Sequence, residues 1–525
     1  LDAASRGLKT CLIEKNDFAS GTSNKSTKLI HGGLRYLKQM EIGLVKESGS
    51  ERAIVHNLVP HLVVPEKMLL PLIEGGTYGK TMTSIGLKVY DLLANVEGED
   101  KRKMLSAKET LSKEPLLSSE NLKGGGYYAE YRTDDARLTI ELLKKAAAFG
   151  ADILNYCEMK QFVYKDSGKI KHVVCQDHNS GETFVVKSKA YISAAGPWVD
   201  KVRTKDTSLN NKRLHLTKGV HLVFSKDRFP LSQSIYFDVP DGRMIFAIPR
   251  GRATYVGTTD TTYKGDLNRV VATEEDANYL IDAVNNMFQD LNLTIEDIES
   301  NWAGLRPLIH EDGKDPSDLS RKDEIFVSDS GLVSIAGGKL TGYRKMAQRT
   351  IDQALKQFKK KKLRSLKDST TKRIQLTSEP LKDLKAVKEY QMSLEVKLKD
   401  LGIDDPYQAW YYTSNYGKQT DIILKKVSFF INATPIERLI RAELWYTVHH
   451  EMVNGLSDFF VRRTGRLYFD IESVHQFRHI VEEDLIKYLK WDEARSLREN
   501  KYLDMLLADA KTYYKKEFEV AESDS

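Results

Sequence analysis

Four stretches carry residue types suited to holding a nucleotide. Residues 9–14 (KTCLIE) form an apolar run ending in an acid, Glu14, followed by Lys15. An acid at the end of such a strand can accept hydrogen bonds from ribose hydroxyls, although a plain strand-end carboxylate has the same pattern. Residues 18–37 (FASGTSNKSTKLIHGGLRYL) are dense in Gly, Ser and Thr. Their hydroxyls and amides can bind a pyrophosphate, and Gly32 and Gly33 would let backbone lie flat against a planar ring; a polar surface loop is the plainer alternative. Residues 189–198 (KAYISAAGPW) read as a strand closing on Ala195-Gly196-Pro197, a tight approach suited to a cofactor crossing a strand end. Residues 331–343 (GLVSIAGGKLTGY) are a strand that meets Gly337-Gly338 before an amphipathic helix running through Gln357. A helix start with that backbone is a positive pole, fit for an anion or an electron-rich ring.

Other chemistry-bearing groups read as structural. His449, His450 and Glu451 suggest a metal, but neighbours on a helix point in different directions and no ligand stands four residues away, so no metal site is expected. Asp134 and Asp135 precede the helical run ARLTIELLKKAAAFGA, which makes an N-cap. The three cysteines, Cys11, Cys157 and Cys175, are too few for a disulfide framework; Cys157 and Cys175 read as small buried strand residues, and a reducing, cytoplasmic setting follows.

These residues need a scaffold. Residues 1–6 (LDAASR) read as the tail of a helix stopped by Gly7, and residues 9–14 as a buried strand: the second half of a βαβ unit. The Gly-rich turn of such a unit stands about 20 residues before the acid, which from Glu14 falls ahead of Leu1. Residues 243–249 (RMIFAIP) and 253–260 (ATYVGTTD) alternate like an antiparallel hairpin with one wet face, a lid for a substrate. Residues 356–373 hold nine Lys or Arg against one acid, Asp368, and beyond residue 379 apolar residues recur at helical spacing. The expected architecture is α/β: residues 1–355 a Rossmann-like nucleotide-binding domain with an inserted antiparallel-sheet substrate domain, 356–378 a basic linker, and 379–525 an all-α C-terminal domain.

The 525 residues suit several buried cores. A net charge of +6, from 80 basic and 74 acidic residues, is too mild to demand nucleic acid. The apolar stretch 53–65 falls short of the roughly 18 residues of a spanning helix, and the first residues show no signal peptide. The basic segment suits either a solvated linker or an anionic membrane surface.

Eight segments in one order, STKLIHGGLRYL, DDARL, AAGPWVD, TKGVHLV, GRMIFAIPR, YVGTTDTTYKGD, WAGLRPL and GGKLTGYRKMA, together closely resemble the FAD-dependent, quinone-linked glycerol-3-phosphate dehydrogenases. The resemblance spans some 350 residues, and the helical remainder looks like that family's C-terminal domain.

The resemblance implies oxidation of sn-glycerol 3-phosphate to dihydroxyacetone phosphate, with FAD as cofactor and a quinone as electron acceptor. It implies cofactor contacts from Glu14, Lys15, Gly21, Thr22, Ser23, Ser26, Thr27, Lys28, His31, Gly32, Gly33, Leu34, Ala195, Gly196, Gly338, Lys339, Leu340 and Thr341. Substrate would meet Arg35, Tyr36, Arg243, Arg306, Arg321 and Lys339, with the phosphate chiefly on Arg306, Arg321 and Lys339, since an arginine fork suits bidentate phosphate contacts. His221 is the candidate base for the C2 hydroxyl; Arg306 or Lys339 stabilising an alkoxide formed by solvent is the alternative. An oxidase passing electrons to oxygen to make peroxide is the second reading, disfavoured by the short segment between Leu308 and Arg321, and a non-catalytic nucleotide-binding protein the third. The family setting is cytoplasmic or peripheral on the inner membrane face, and a homodimer is left open.

Overall fold

The computed structural model describes residues 1–31, 42–76, 101–210, 212–310, 322–359, 363, 365–516 and 518. Gly32, Gly33, Leu34, Arg35, Tyr36 and Arg321 lie outside the described residues, as does part of the basic segment.

Two small parallel assemblies carry the nucleotide-fold strands. Cys11–Ile13 runs parallel to Asp152–Leu154, with the Glu14 amide extending the ladder to the Leu154 carbonyl at 2.9 Å. Tyr191–Ser193 runs parallel to Leu332–Gly337, whose other edge is antiparallel to Asp323–Val327. The run KTCLIE predicts a buried strand; instead Cys11 and Leu12 are exposed, Leu12 at 39%. That strand has a partner on one side only among the described residues. Helices Asp2–Ser5, Asp135–Ala148, Val199–Lys205 and Tyr343–Leu355 accompany these strands. Asp134 caps the second by accepting from the Arg137 amide at 3.0 Å, as the sequence predicts.

A ten-stranded mixed sheet forms the second layer system. Its long strand Leu214–Ser225 lies between Ile298–Ile309 and Ala253–Gly257, and the ladder continues through Met244–Arg250 and Ser234–Asp238 to Val64–Ile73 and Leu122–Arg132. The hairpin expected at residues 243–260 is present, but it has no wet face. Ile245, Ala247 and Val256 pack under helix Glu274–Met287 on one side. On the other, Phe246, Ile248, Ala253 and Tyr255 join one core with Phe459, Tyr468, Phe469 and Val474 of the C-terminal helices. The alternation misleads because each face meets a different cover, and both covers are apolar.

The C-terminal part is helical from Leu384–Asp400 to Glu493–Lys511, with a π-helical turn over Asp458–Arg463. Buried charges tie it to the rest: Arg137 binds Glu141 and both oxygens of Glu451, and Lys144 binds Glu141 and Glu451. His449 and His450 are exposed beside Trp445 while Glu451 turns inward, which helical geometry requires of adjacent residues. Residues 367–376 of the connecting segment lie back on the first domain, with Lys367 N–H donating to the Arg6 carbonyl and Leu376 N–H to the Leu58 carbonyl.

Candidate functional site

Strand Ile298–Ile309 is the hub of the site. It borders Leu214–Ser225 along its length and also touches the turn Thr22–Asn24, the turn Gly196–Trp198 and strand Leu332–Gly337. Four of the segments singled out in the sequence therefore converge on one strand.

The loop carrying Gly21 to Lys28 is held at both ends. Thr22 Oγ1 donates to the Leu305 carbonyl at 2.8 Å, and a Cβ on Gly304 would stand 2.6 Å from the Lys25 carbonyl, so glycine alone permits that approach. At the other end the Ser26 hydroxyl and amide both donate to Asp135 Oδ2, and Lys28 Nζ meets Asp135 Oδ1 at 2.5 Å. The Lys28 ammonium is thus committed to an internal ion pair, and any cofactor contact from this residue falls to its backbone. Ser23 sits half-buried in the turn, and His31 lies edge-on to Phe246.

Cofactor-type features surround this loop. Burial raises the Glu14 carboxyl; its Oε1 accepts from the Asn16 amide at 3.1 Å. Lys15 Nζ reaches Asn268 and lies over the Trp198 ring. Gly21 faces that same ring, and Gly196 adopts φ 53° with nothing within 4 Å of where a side chain would start, an open cradle. Two buried donors beside Ala195 and Gly196, Ser193 Oγ and Trp198 Nε1, find no hydrogen-bond partner among the described residues. Gly337 and Gly338 take φ 70° and 78°, and one turn of 3-10 helix, Leu340–Gly342, separates them from helix Tyr343–Leu355. The Gly pair is therefore one turn away from the helix start that the sequence suggests. Lys339 precedes that turn, Thr341 is buried within it, and Gly337 abuts Ile309. A strand-end acid, an open glycine cradle and orphaned donors fit a dinucleotide.

Across the hub strand, His221 and Arg306 share one small region. The register pairs Thr217 with Arg306 and His221 with Trp302, and the imidazole stacks on the Trp302 indole at 4.7 Å and 11°. His221 Nε2 lies 3.0 Å from Thr27 Oγ1, so the imidazole touches the cofactor-type loop, while its Nδ1 has no hydrogen-bond partner among the described residues. Burial, then the charges of Arg306 and Lys28, push its pKa well below the usual 6.5, so it is neutral. Arg306 donates to the Thr259 carbonyl (3.1 Å), Asp260 Oδ1 (3.2 Å) and Thr258 Oγ1 (2.9 Å). Two glycines make room: a Cβ on Gly219 would lie 2.4 Å from the Arg306 guanidinium, and one on Gly257 would lie 2.2 Å from the His221 ring. Arg243 is further committed, paired with Asp241 at 2.6 Å and stacked over Tyr279, though the Asp260 charge also acts on it.

Sequence reasoning missed Gly219, Gly257, Thr258, Asp260 and Trp302 as members of this cluster. All five sit inside TKGVHLV, YVGTTDTTYKGD and WAGLRPL, so the signal was present as motifs without roles.

Residues 1–344 match the FAD dependent oxidoreductase family, and residues 344–496 match the family described as the C-terminal domain of alpha-glycerophosphate oxidase. The chain is 49% identical over 513 residues to an aerobic glycerol-3-phosphate dehydrogenase of Bacillus subtilis (97% of this chain, 92% of the relative). It is likewise 49% identical over 502 residues to one of Staphylococcus aureus, covering 94% of this chain and 89% of that one. Among solved structures, a glycerol-3-phosphate dehydrogenase of Bacillus halodurans complexed with FAD is similar at TM-score 0.82 and 42% identity, covering 97% of this chain and 92% of that one. An L-alpha-glycerophosphate oxidase of Mycoplasma pneumoniae with FAD, at 18% identity and TM-score 0.52 over 70% of this chain and 91% of that one, shares the fold.

Proposed function

Because the chain belongs to the FAD-dependent oxidoreductases, among the aerobic glycerol-3-phosphate dehydrogenases, we propose that it oxidises sn-glycerol 3-phosphate to dihydroxyacetone phosphate and passes the electrons to a quinone. The observation that carries this reading is the placement of neutral His221 and cationic Arg306 at the strand that the cofactor-type turns also touch, with His221 reaching Thr27 of the cofactor-type loop at 3.0 Å. Bound FAD supplies the hydride acceptor.

The protein's own residues supply the rest. Glu14, the loop from Gly21 through Lys28, Ala195-Gly196 and the turn from Gly338 to Thr341 would hold the cofactor. Arg306, with Lys339, Arg321, Arg243 and Arg35, neutralises the substrate phosphate, and Tyr36 orients it. Neutral His221 accepts a hydrogen bond from the C2 hydroxyl. Its low proton affinity, set by burial and by Arg306, disfavours a full imidazolium. The C2 hydroxyl proton passes to His221 as hydride leaves C2, or to solvent with Arg306 and Lys339 offsetting the charge on the resulting alkoxide.

No helix among the described residues is long and apolar enough to cross a membrane. A quinone acceptor calls for contact with the bilayer surface, so the reading includes a cytoplasmic protein peripheral on the inner membrane face, with the basic segment 356–373 near an anionic surface. The test is anaerobic addition of glycerol 3-phosphate to the FAD-loaded protein, followed by the flavin absorbance band. The band bleaches if the reading is right and persists if it is wrong. Fast recovery with a quinone analogue and slow recovery with oxygen identify the dehydrogenase; the reverse identifies the oxidase.

A further inference from the structure

The helical domain carries a protruding apolar tip between helices Thr420–Val427 and Pro435–Glu451. Phe429 and Ile431 are 70% and 71% exposed there, the most exposed large apolar residues among those described. The loop is not loosely splayed. Phe429 and Phe430 amides donate to the Lys426 and Val427 carbonyls, the Ala433 amide donates to the Phe430 carbonyl, and Arg438 binds the Ile431 and Ala433 carbonyls at 3.0 and 2.8 Å. A hydrogen-bonded frame therefore holds two large apolar side chains out in water.

The tip segment itself is basic, and the acids that flank it are engaged: Asp421 accepts from Lys397 at 2.8 Å, and Glu437 accepts from the Thr434 amide and hydroxyl at 2.8 Å each. From Ile422 to Thr434 the chain contains Lys425 and Lys426 and no acid. Ile422, Lys426 and Phe429 follow one another at helical i, i+4 and i+7 spacing, and the Lys426 ammonium lies 4.1 Å over the Phe429 ring. Two highly exposed apolar side chains next to lysines match the depth profile of an anionic bilayer, where aromatic and aliphatic groups enter the acyl boundary and lysines stay at the headgroups. A protein partner or a second copy would instead favour a broader, flatter patch with both signs of charge at its rim.

We infer that this tip is the surface by which the protein docks on an anionic lipid bilayer, Phe429 and Ile431 entering the interface and Lys425 and Lys426 meeting the headgroups. The inference rests on the membrane-peripheral reading above and gives it a location distinct from the basic segment 356–373.

The test is co-sedimentation of the full-length, FAD-loaded protein with phosphatidylcholine vesicles with and without phosphatidylglycerol. The wild type should bind the anionic vesicles, with binding weakened by salt. Binding should fall by about tenfold or more in Phe429→Ser/Ile431→Ser and measurably in Lys425→Glu. Flavin bleaching by glycerol 3-phosphate and the thermal midpoint should be unchanged in both. Vesicle binding equal to wild type in the double variant overturns this docking surface while leaving the peripheral reading standing. A wild type that ignores vesicles but forms a dimer dissolved by the double variant also overturns it, assigning the tip to self-association. Absence of vesicle binding in a protein whose flavin still bleaches overturns the docking surface and the peripheral reading without touching the reaction.

Discussion

Asp17, three residues after Glu14, is fully buried against Arg463 of the helical domain, whose Nη1 and Nη2 reach its two carboxylate oxygens at 2.8 and 2.9 Å. Arg462 adds a third contact at 2.5 Å, and Asn155 Nδ2 a fourth at 3.0 Å. Burial alone would raise this carboxyl; the two arginines outweigh it and lower it to about 2. The end of the strand that carries Glu14 is thus fixed by a domain more than 400 residues away in sequence.

Asp17→Asn should accordingly do more than lower stability. Leaving Arg462 and Arg463 without their shared charge costs about 3–5 kcal/mol. The thermal midpoint should fall, and FAD should dissociate faster because the Glu14 segment loses its anchor. Parallel measurement of melting and of flavin released on dilution checks both; an unchanged flavin off-rate would leave Asp17 with a purely structural role.

A methyl group should disable the reaction site while sparing the cofactor. In Gly257→Ala the new Cβ would lie 2.2 Å from the His221 ring, too close for the stacked pose on Trp302. Turnover should fall by roughly two orders of magnitude, in line with loss of positioned acid–base chemistry. Stoichiometric FAD and a near-normal spectrum should remain, measured after gel filtration.

The resemblance made the chemistry legible earlier than the geometry did. Glu14, Gly196 and Gly338 stand out as candidates from strand-end patterns, because apolar runs closing on Gly or an acid are local signals, but the pattern alone does not separate Glu14 from a plain strand-end carboxylate. His221 and Arg306 do not stand out in this way: each lies in an ordinary strand, and only the register of Leu214–Ser225 against Ile298–Ile309 brings them together. The same nonlocality hid Asp17, whose partners are 445 and 446 residues away. It also misled the hairpin reading, since no sequence pattern reports that Tyr255 would be covered by Phe469. Nor does the sequence around Lys28 report that Asp135 pairs with its ammonium.

Two arginines named for the substrate should respond differently. Arg306 is oriented by Thr258, Thr259 and Asp260 next to His221, whereas Arg243 is already paired with Asp241 and stacked on Tyr279. Arg306→Ala should weaken glycerol 3-phosphate binding at least about tenfold, the scale of one charge-assisted contact, with FAD retained. Arg243→Ala should cost less. Titrating the flavin spectrum with substrate under anaerobic conditions ranks the two, and equal losses would place Arg243 in the phosphate clamp on the same footing.

Stability should fall in mildly acidic solution for a reason located at His61. This ring is buried against Gly417, neither nitrogen hydrogen-bonds to a described residue, and the charged groups acting on it are Arg137 and Lys144, themselves paired with Glu141 and Glu451. Burial first, then those two cations, lower its pKa from 6.5 to about 3. The sign follows: below pH 6.5 the unfolded chain takes a proton that the folded protein refuses, so folding free energy is lost as pH falls from 6.5 toward 3. Down to pH 4.5 that loss is about 2–3 kcal/mol from this one group. The depressed carboxylates, Asp17 and Glu451 at about 2 each, act lower; their contribution is intact above the unfolded pKa of about 4 and disappears only below it. Between pH 6.5 and 4.5 the loss comes from the buried histidines His61 and His221, while carboxyls raised by burial, such as Glu14 and Glu499, act with the opposite sign. His61→Phe should flatten the fall of the thermal midpoint across that interval while leaving the steeper loss below pH 4 in place, a difference read directly from melting curves at matched ionic strength.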